Sequence, residues 1–150
     1  MAYWLFKSEP DEYSIDDLAA DGTTRWDGIR NYQARNLLRD KVAMGDEVFF
    51  YHSSCAQPAI AGIARVVREA YPDPSQFDPD SPGFDSKSAP DKPRWFCVDV
   101  RFVRTFTPPL VGKWLRQFPE LADMVLFHQG RLSIQPVRPP AWRFILNLAP

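Results

Sequence analysis

The stretch of residues 95–104 has the pattern that most limits how this chain can fold. Every second residue from Phe96 to Phe102 is apolar, while Asp99 and Arg101 fall between them. A period of two is typical of a β-strand with one face on a core. Short helical patterns separate the strand-like runs, and no regular strand–helix–strand repeat is present. The sequence therefore predicts an α+β fold with a small mixed barrel, whose other strands cover residues 3–8, 23–27, 47–51, 59–69 and 131–137.

Four short helices are predicted around these strands. Ser14 and Asp17 fit a capping box that begins the first helix, which ends near Ala20. The second covers residues 31–42 and has an apolar stripe facing inward. A third covers residues 110–117, and a fourth closes the chain over residues 141–148.

The length and the proline distribution indicate the domain organisation. A chain of 150 residues predicts a single domain, residues 1–150. Residues 71–93 are rich in proline, but they also hold Tyr71, Phe77 and Phe84. Flexible linkers usually lack such side chains. We therefore expect an ordered lid loop at about residues 71–93 that lies over the domain.

The charges are segregated along the chain although the net charge is only −1. Residues 25–41 and residues 94–150 are basic, and the segments before and between them are acidic. Such a chain can present a basic face to a polyanion, although the pattern also fits ordinary surface patchiness. A protein that coats nucleic acid indiscriminately would be basic overall. Affinity for nucleic acid must therefore come largely from contacts other than phosphate neutralisation.

Several classes of protein are excluded by what the sequence lacks. It has no glycine-rich phosphate loop and no nucleophile elbow. Its two cysteines and two histidines show no metal-ligand spacing. We therefore predict neither a metal nor a cofactor. The apolar start is too short for a signal peptide, and no window is long enough to cross a bilayer. We expect a cytoplasmic protein that has no membrane partner.

Aromatic and hydrogen-bonding residues are dense at the predicted strand ends and loops. Recognition of a base outside a duplex needs flat apolar surfaces and a few donors and acceptors. Stacking contributes roughly 1–3 kcal/mol per base. Trp26 is the favoured platform because Arg25, Asp27 and Gly28 give it a polar setting. The other candidate platforms are Tyr32, Tyr51, Tyr71 and Trp95, and the candidate edge readers are Ser8, Asn31, Gln33, Ser53, Asp73 and Gln135.

Five runs in the same order resemble the EVE domain family across essentially the whole chain. They are residues 3–10 (YWLFKSEP), 26–36 (WDGIRNYQARN), 49–53 (FFYHS), 70–73 (AYPD) and 130–136 (GRLSIQP). The resemblance implies a PUA-like fold, a mixed β pseudo-barrel with flanking short helices that is related to the YTH domains. It also implies a modified base, with modified cytosine favoured, as the ligand in DNA or RNA.

The resemblance further implies where the pocket lies. Trp26 falls where YTH domains keep a tryptophan of their aromatic cage, and Lys7 and Ser8 fall on the matching first strand. Ser53 and the segment 131–133, with Arg131 and Ser133, would close the pocket.

The resulting hypothesis is a monomeric reader that holds an extruded, modified base and is not an enzyme. Trp26 stacks on the base, and its alanine variant is expected to lose binding with little loss of stability. The pocket is predicted to include residues from the first strand to the segment after residue 130. Four basic residues are expected to hold phosphates nearby, namely Lys7, Arg30, Arg35 and Arg39. Its predicted members are Lys7, Ser8, Trp26, Arg30, Asn31, Tyr32, Tyr51, Ser53, Tyr71, Asp73, Arg131 and Ser133.

Two alternatives remain open from the sequence. A nuclease, or a hydrolase of modified nucleosides, could use His52 with Ser53 or Asp73. A protein-interaction module could accept a peptide through exposed aromatic residues. A large exposed apolar patch would favour the second alternative, and a deep narrow pocket would count against it.

Overall fold

One mixed sheet of six strands runs through the molecule, which we describe from a computed structural model covering residues 1–150. The sheet order is β2–β5–β4–β3–β1–β6, in which β1 and β3 are parallel and all other neighbours are antiparallel. The strands are β1 (Tyr3–Ser8), β2 (Thr23–Trp26), β3 (Glu47–His52), β4 (Ala59–Pro72), β5 (Phe96–Val111) and β6 (Ile134–Val137).

Four α-helices cover this sheet, and the α+β prediction is confirmed. They are α1 (Ile15–Asp21), α2 (Tyr32–Asp40), α3 (Gly112–Leu115) and α4 (Pro139–Leu148), with 3-10 turns at Pro74–Phe77, Pro119–Leu121 and Val125–Phe127. The capping box of α1 forms as predicted, since Ser14 accepts from the Asp17 amide and Asp17 accepts from the Ser14 amide. No helix is both long and apolar enough to span a bilayer.

The fifth strand is longer than the sequence pattern indicates. It continues through Pro108 and Pro109 to Val111, so the helix predicted over residues 110–117 is only the short α3. The prolines lie between the paired residues Thr105 and Leu110, where the register with β4 shifts. A proline is tolerated in a sheet at such an irregularity because no ladder hydrogen bond is needed from it there.

The sheet is buried on both faces. In β1, Trp4 and Phe6 belong to one hydrophobic core, which also contains residues of α1 and α2. Leu5, between them, belongs to a second core, to which α4 contributes Trp142 and Ile145. Alternate residues of a strand point to opposite faces. A strand covered on both sides therefore reads as a continuous apolar run.

Asp46 ties the first strand to the turn before β3. Its carboxylate is 2 % exposed and accepts hydrogen bonds from the amides of Ala2 and Ala43 and from the indole nitrogen of Trp4, each at 2.9 Å. One buried side chain thus satisfies three donors from two segments that are distant in sequence.

We expect Asp46→Ala to destabilise the protein by about 3 kcal/mol, because it leaves buried donors without an acceptor. Chemical denaturation followed by fluorescence measures this change. Asp11→Ala removes an exposed carboxylate and is the matched control, with an expected loss below about 0.5 kcal/mol. Equal stability of the two variants would contradict the role of Asp46.

Candidate functional site

A cavity of about 820 Å³ opens beside the ends of β1 and β2. The Lys7–Ser8 end of β1 and Ser53 form one part of its wall. The Ser53 amide donates to the Ser8 carbonyl at 3.0 Å, a normal length for a backbone hydrogen bond. The end of β2 and the segment 130–133 form other parts. The cavity volume is in the range of small-molecule and cofactor sites.

Seven residues predicted from the sequence line this cavity. The parallel pairing of β1 with β3 brings Ser8 beside His52, so the residues after both strands meet at one edge of the sheet. Antiparallel pairing with β6 brings the segment before Ile134 to the same edge. The seven are Lys7, Ser8, Trp26, Arg30, Ser53, Arg131 and Ser133.

Trp26 is a core residue with part of its surface in the cavity wall. Its side chain is only 7 % exposed. Its ring centroid lies 5.5 Å from that of Phe6 and 5.3 Å from that of Phe50. The prediction that alanine at this position would leave the stability nearly unchanged is therefore wrong. Removing a buried tryptophan leaves a large void and costs about 3–5 kcal/mol.

Asp73 lies beneath the cavity and does not line it. Its carboxylate is fully buried and accepts from the Gly28 amide at 2.9 Å, from Arg30 at 3.0 Å, and from the amide and hydroxyl of Ser75 at 2.8 and 2.6 Å. Burial by itself would raise the pKa of Asp73, but the hydrogen bonds from Ser75, Gly28 and Arg30 outweigh it and lower that pKa. Asp73 therefore positions the cavity wall and is not available to a base.

Arg30 fastens the proline-rich segment to the cavity wall. Besides Asp73, its guanidinium donates to the carbonyls of Ile29 and Gly83, the latter at 2.6 Å, and to the Ser75 hydroxyl. A Cβ at position 83 would lie 2.7 Å from Arg30 Nη2, so a larger residue there would displace the guanidinium from this position. These contacts occupy the donors that the sequence assigned to phosphates, so Arg30 is a wall residue.

The proline-rich segment has its own internal bonds. Gln76 is buried and donates to the carbonyls of Asp73 and Trp95, and its own oxygen accepts from the amides of Arg94 and Trp95. The Trp95 indole donates to Asp85 at 2.7 Å. The segment begins after Pro72, because Tyr71 and Pro72 still belong to β4.

Four further predicted pocket residues lie away from this cavity. Asn31 caps α2 by accepting from the Ala34 amide. Tyr32 is exposed and stacks on Trp95, with ring centroids 4.8 Å apart. The Tyr71 hydroxyl donates to Asp99 at 2.5 Å. Tyr51 is in the second core, on the other face of the sheet.

The two predicted phosphate contacts also have protein partners. Arg35 donates to the Arg94 carbonyl at 2.7 Å, and its guanidinium carbon lies 4.8 Å from the Tyr32 ring centroid. Arg39 pairs with Asp40 at 2.8 Å. Both lie on α2, and neither lines the cavity.

Lys7 is a basic group of the cavity wall that the segment before β6 holds in place. Its ammonium donates to the Gly130 carbonyl at 2.5 Å, and its backbone amide donates to the Ser133 carbonyl. Burial lowers the pKa of Lys7. Ser8, next in the strand, donates its hydroxyl to the Tyr13 carbonyl at 2.7 Å.

The sequence analysis missed several residues of the cavity wall. Arg25 and Asp27, noted only as neighbours of Trp26, line it and pair with each other at 3.1 Å. Glu9 and Glu12 come from the turn after β1, where only their nearness to Lys7 could have indicated them. The wall thus contains the four cations Lys7, Arg25, Arg30 and Arg131 and the three carboxylates Glu9, Glu12 and Asp27.

The geometry does not support the hydrolase alternative. His52 Nε2 accepts a hydrogen bond from the Ile15 amide at 3.1 Å, and burial lowers the pKa of this histidine. His52 does not line the cavity, and Asp73 is saturated by the bonds described above. No group of three or more potential ligands is arranged to hold a metal ion.

Comparison with known proteins extends these observations. Human thymocyte nuclear protein 1 is 45% identical over 98% of this chain and 73% of its own length. A protein from Pseudomonas syringae with a known crystal structure is 52% identical in sequence to this chain. The two structures match with a TM-score of 0.94 over 98% of this chain and 99% of that chain. The crystal structure of the human THYN1 protein in complex with 5-methylcytosine-containing DNA is 43% identical, with a TM-score of 0.94 over 99% of this chain and 97% of that chain.

Neither the matching family model nor these relatives carry the name of an enzyme, and the human protein is crystallised in complex with DNA. They also correct the expected location. The prediction of a cytoplasmic protein is wrong, because the human and mouse relatives are both named as nuclear proteins. Signal-peptide and membrane-span patterns identify secreted and membrane proteins, but neither pattern distinguishes the cytoplasm from the nucleus.

The similarity covers the whole fold and not one motif. The family model that describes the EVE domain matches residues 2–148. The relatives at 45% and 52% identity also match 98% of the chain. This chain belongs to the EVE domain family.

Proposed function

We propose that this protein is a nucleic-acid reader that holds an extruded, modified base in the cavity beside Trp26, with modified cytosine in DNA as the favoured ligand. The observation that carries the proposal is a core indole that reaches the wall of a large polar cavity. The human relative at 43% identity, crystallised with 5-methylcytosine-containing DNA, supports the choice of ligand.

The cavity wall has the chemistry that an unpaired cytosine needs. Trp26 and Ile29 contribute apolar surface, against which a planar ring or a methyl group can lie. The exocyclic amine of cytosine is a hydrogen-bond donor, and the carboxylates of Glu9, Glu12 and Asp27 are acceptors near that surface. The hydroxyls of the wall can donate or accept. These groups would read the edge that base pairing normally hides.

The predicted selectivity for a methyl group is moderate. One methyl group in an apolar niche contributes about 1–3 kcal/mol, which corresponds to roughly 10–200-fold in affinity. The net charge of the wall is small, so the affinity for the base itself depends on stacking and hydrogen bonding more than on charge. We therefore expect discrimination between modified and unmodified bases to persist when salt weakens overall binding.

A binding panel tests the proposal. We expect an oligodeoxynucleotide with one 5-methylcytosine to bind about tenfold or more tightly than the unmodified strand, because the methyl group fills an apolar niche. Fluorescence anisotropy measures both affinities, with single-stranded, duplex and RNA versions as further ligands. Equal affinity for the modified and unmodified strands would contradict the proposal.

The same mixtures examine the hydrolase alternative. Each oligonucleotide is recovered after incubation with and without a divalent metal ion, and its length and bases are analysed by mass spectrometry. A reader returns the oligonucleotide intact at every time point. Turnover would instead favour the enzyme.

Substitution of Trp26 separates its binding role from its structural role. Trp26→Phe keeps most of the buried aromatic volume, and we expect it to fold and to bind the methylated strand at least tenfold more weakly, since the wider indole is lost from the wall. Trp114→Phe is the matched control, because Trp114 is 41 % exposed and lies outside the cavity. Thermal unfolding checks that both variants are folded. Undiminished binding by Trp26→Phe would exclude the indole as the platform.

A further inference from the structure

A second cavity of about 490 Å³ lies next to the first. The two share part of their walls, namely Lys7, Ser53, Ser54 and Gly130. The shared residues form a ridge between the cavities, and the Lys7 ammonium is held on this ridge by the Gly130 carbonyl. A ligand that fills the first cavity and continues along its strand therefore meets the second cavity directly across the ridge.

The second cavity differs from the first in charge. Its wall contains Lys7, Lys113 and Arg116 and has no carboxylate, whereas the first cavity has three carboxylates beside its cations. None of these three cations forms an ion pair within the protein. Unpaired cations around a concave surface attract an anion more strongly than cations neutralised by neighbouring acids. The second cavity is thus the better of the two for a phosphate.

The second cavity also has an apolar wall. Leu126 and Phe127 line it, and the Arg116 guanidinium carbon lies 5.5 Å from the Phe127 ring centroid. The Tyr51 hydroxyl reaches the wall at Gly112, where a Cβ would lie only 2.7 Å from the hydroxyl oxygen. A phosphate with an attached sugar and base matches this combination of cations and apolar surface.

We propose that the second cavity binds the nucleotide adjacent to the modified base on the same strand, with its phosphate at Lys113, Arg116 and Lys7. This inference rests on the proposed function, because it takes the first cavity as the site of the extruded base. Lys7 lies in both walls and links the two positions. Trp26 and its surroundings then select the base, and the second cavity provides a contact that any base sequence can make.

The double variant Lys113→Ala/Arg116→Ala tests this subsite. Both residues are exposed, so the variant is expected to fold. Thermal unfolding checks that it does. With a single-stranded nonamer carrying a central 5-methylcytosine, we expect affinity to fall about tenfold or more and the slope of log affinity against log salt to fall by about 0.7, since the contact with one phosphate is lost.

The matched control is Arg101→Ala/Arg143→Ala, which removes the same charge from exposed positions outside both cavities. We expect its affinity to stay within about twofold of the unchanged protein, because distant surface charges are screened. Equal losses in the two double variants, or no loss in either, would overturn the subsite.

Neutral linkages locate the phosphate. In a series of nonamers, one phosphodiester at a time is replaced by a methylphosphonate. The unchanged protein is expected to lose affinity most at one linkage beside the modified base. Lys113→Ala/Arg116→Ala is expected to lose much less affinity at that linkage, because the effects of coupled groups are not additive in a double-mutant cycle. Full sensitivity of the variant at every linkage would refute the assignment.

The ratio of affinities for modified and unmodified nonamers distinguishes this inference from the proposed function. Lys113→Ala/Arg116→Ala is expected to weaken both nonamers equally and to leave the ratio unchanged. Suppose that the unchanged protein gives a ratio of one but still loses most affinity when one particular linkage is neutralised. This result overturns the proposed base selectivity and supports the phosphate site. A high ratio with no effect of the double variant overturns the phosphate site alone. Absence of any binding by the unchanged protein overturns both.

Discussion

The parallel pairing of β1 with β3 is the constraint on which the rest of the structure depends. These two strands lie inside the sheet, and side chains from both of their faces are buried. Because they run in the same direction, the residues that follow them emerge at the same edge. Lys7, Ser8 and Ser53 therefore meet at one place: all three line the first cavity, and Lys7 and Ser53 also line the second. The polar site is a consequence of how the apolar sheet is assembled.

Asp73 connects the cavity to the segment outside it. One buried carboxylate holds the Gly28 amide, Arg30 and Ser75, and Arg30 in turn holds Gly83. An unpaired carboxylate in this position would be strongly unfavourable, but here it has several donors, one of them cationic. The wall after β2 and the proline-rich segment are consequently one bonded unit.

Much of the fold could be predicted from the sequence, because alternation and capping are local signals. Alternation indicates the strands near residues 3–8 and 95–104, and the capping box indicates the helix that begins after Ser14. The continuation of β5 through Pro108 and Pro109 was not, because the irregularity that accommodates them depends on the partner strand β4. Local rules treat two prolines as the end of a strand.

The site was predicted less completely than the fold. The family resemblance indicated Lys7, Ser8 and Trp26, which line the cavity. The polar neighbours of Trp26 suggested an exposed ring, but successive residues of a strand point in opposite directions, so Arg25 is exposed while Trp26 is buried. Whether an aromatic residue such as Tyr32 faces a cavity or another ring depends on contacts distant in sequence, which spacing does not reveal.

The double environment of Trp26 limits how this site can change during evolution. One side of the indole packs against Phe6 and Phe50, so a smaller residue would weaken the fold whatever it did for a ligand. Three other wall residues lie outside the hydrophobic core and have no such structural role, namely Glu9, Glu12 and Arg131. The chemistry of the cavity wall can therefore change at these three positions at little cost to the fold, whereas a change at Trp26 also affects the core.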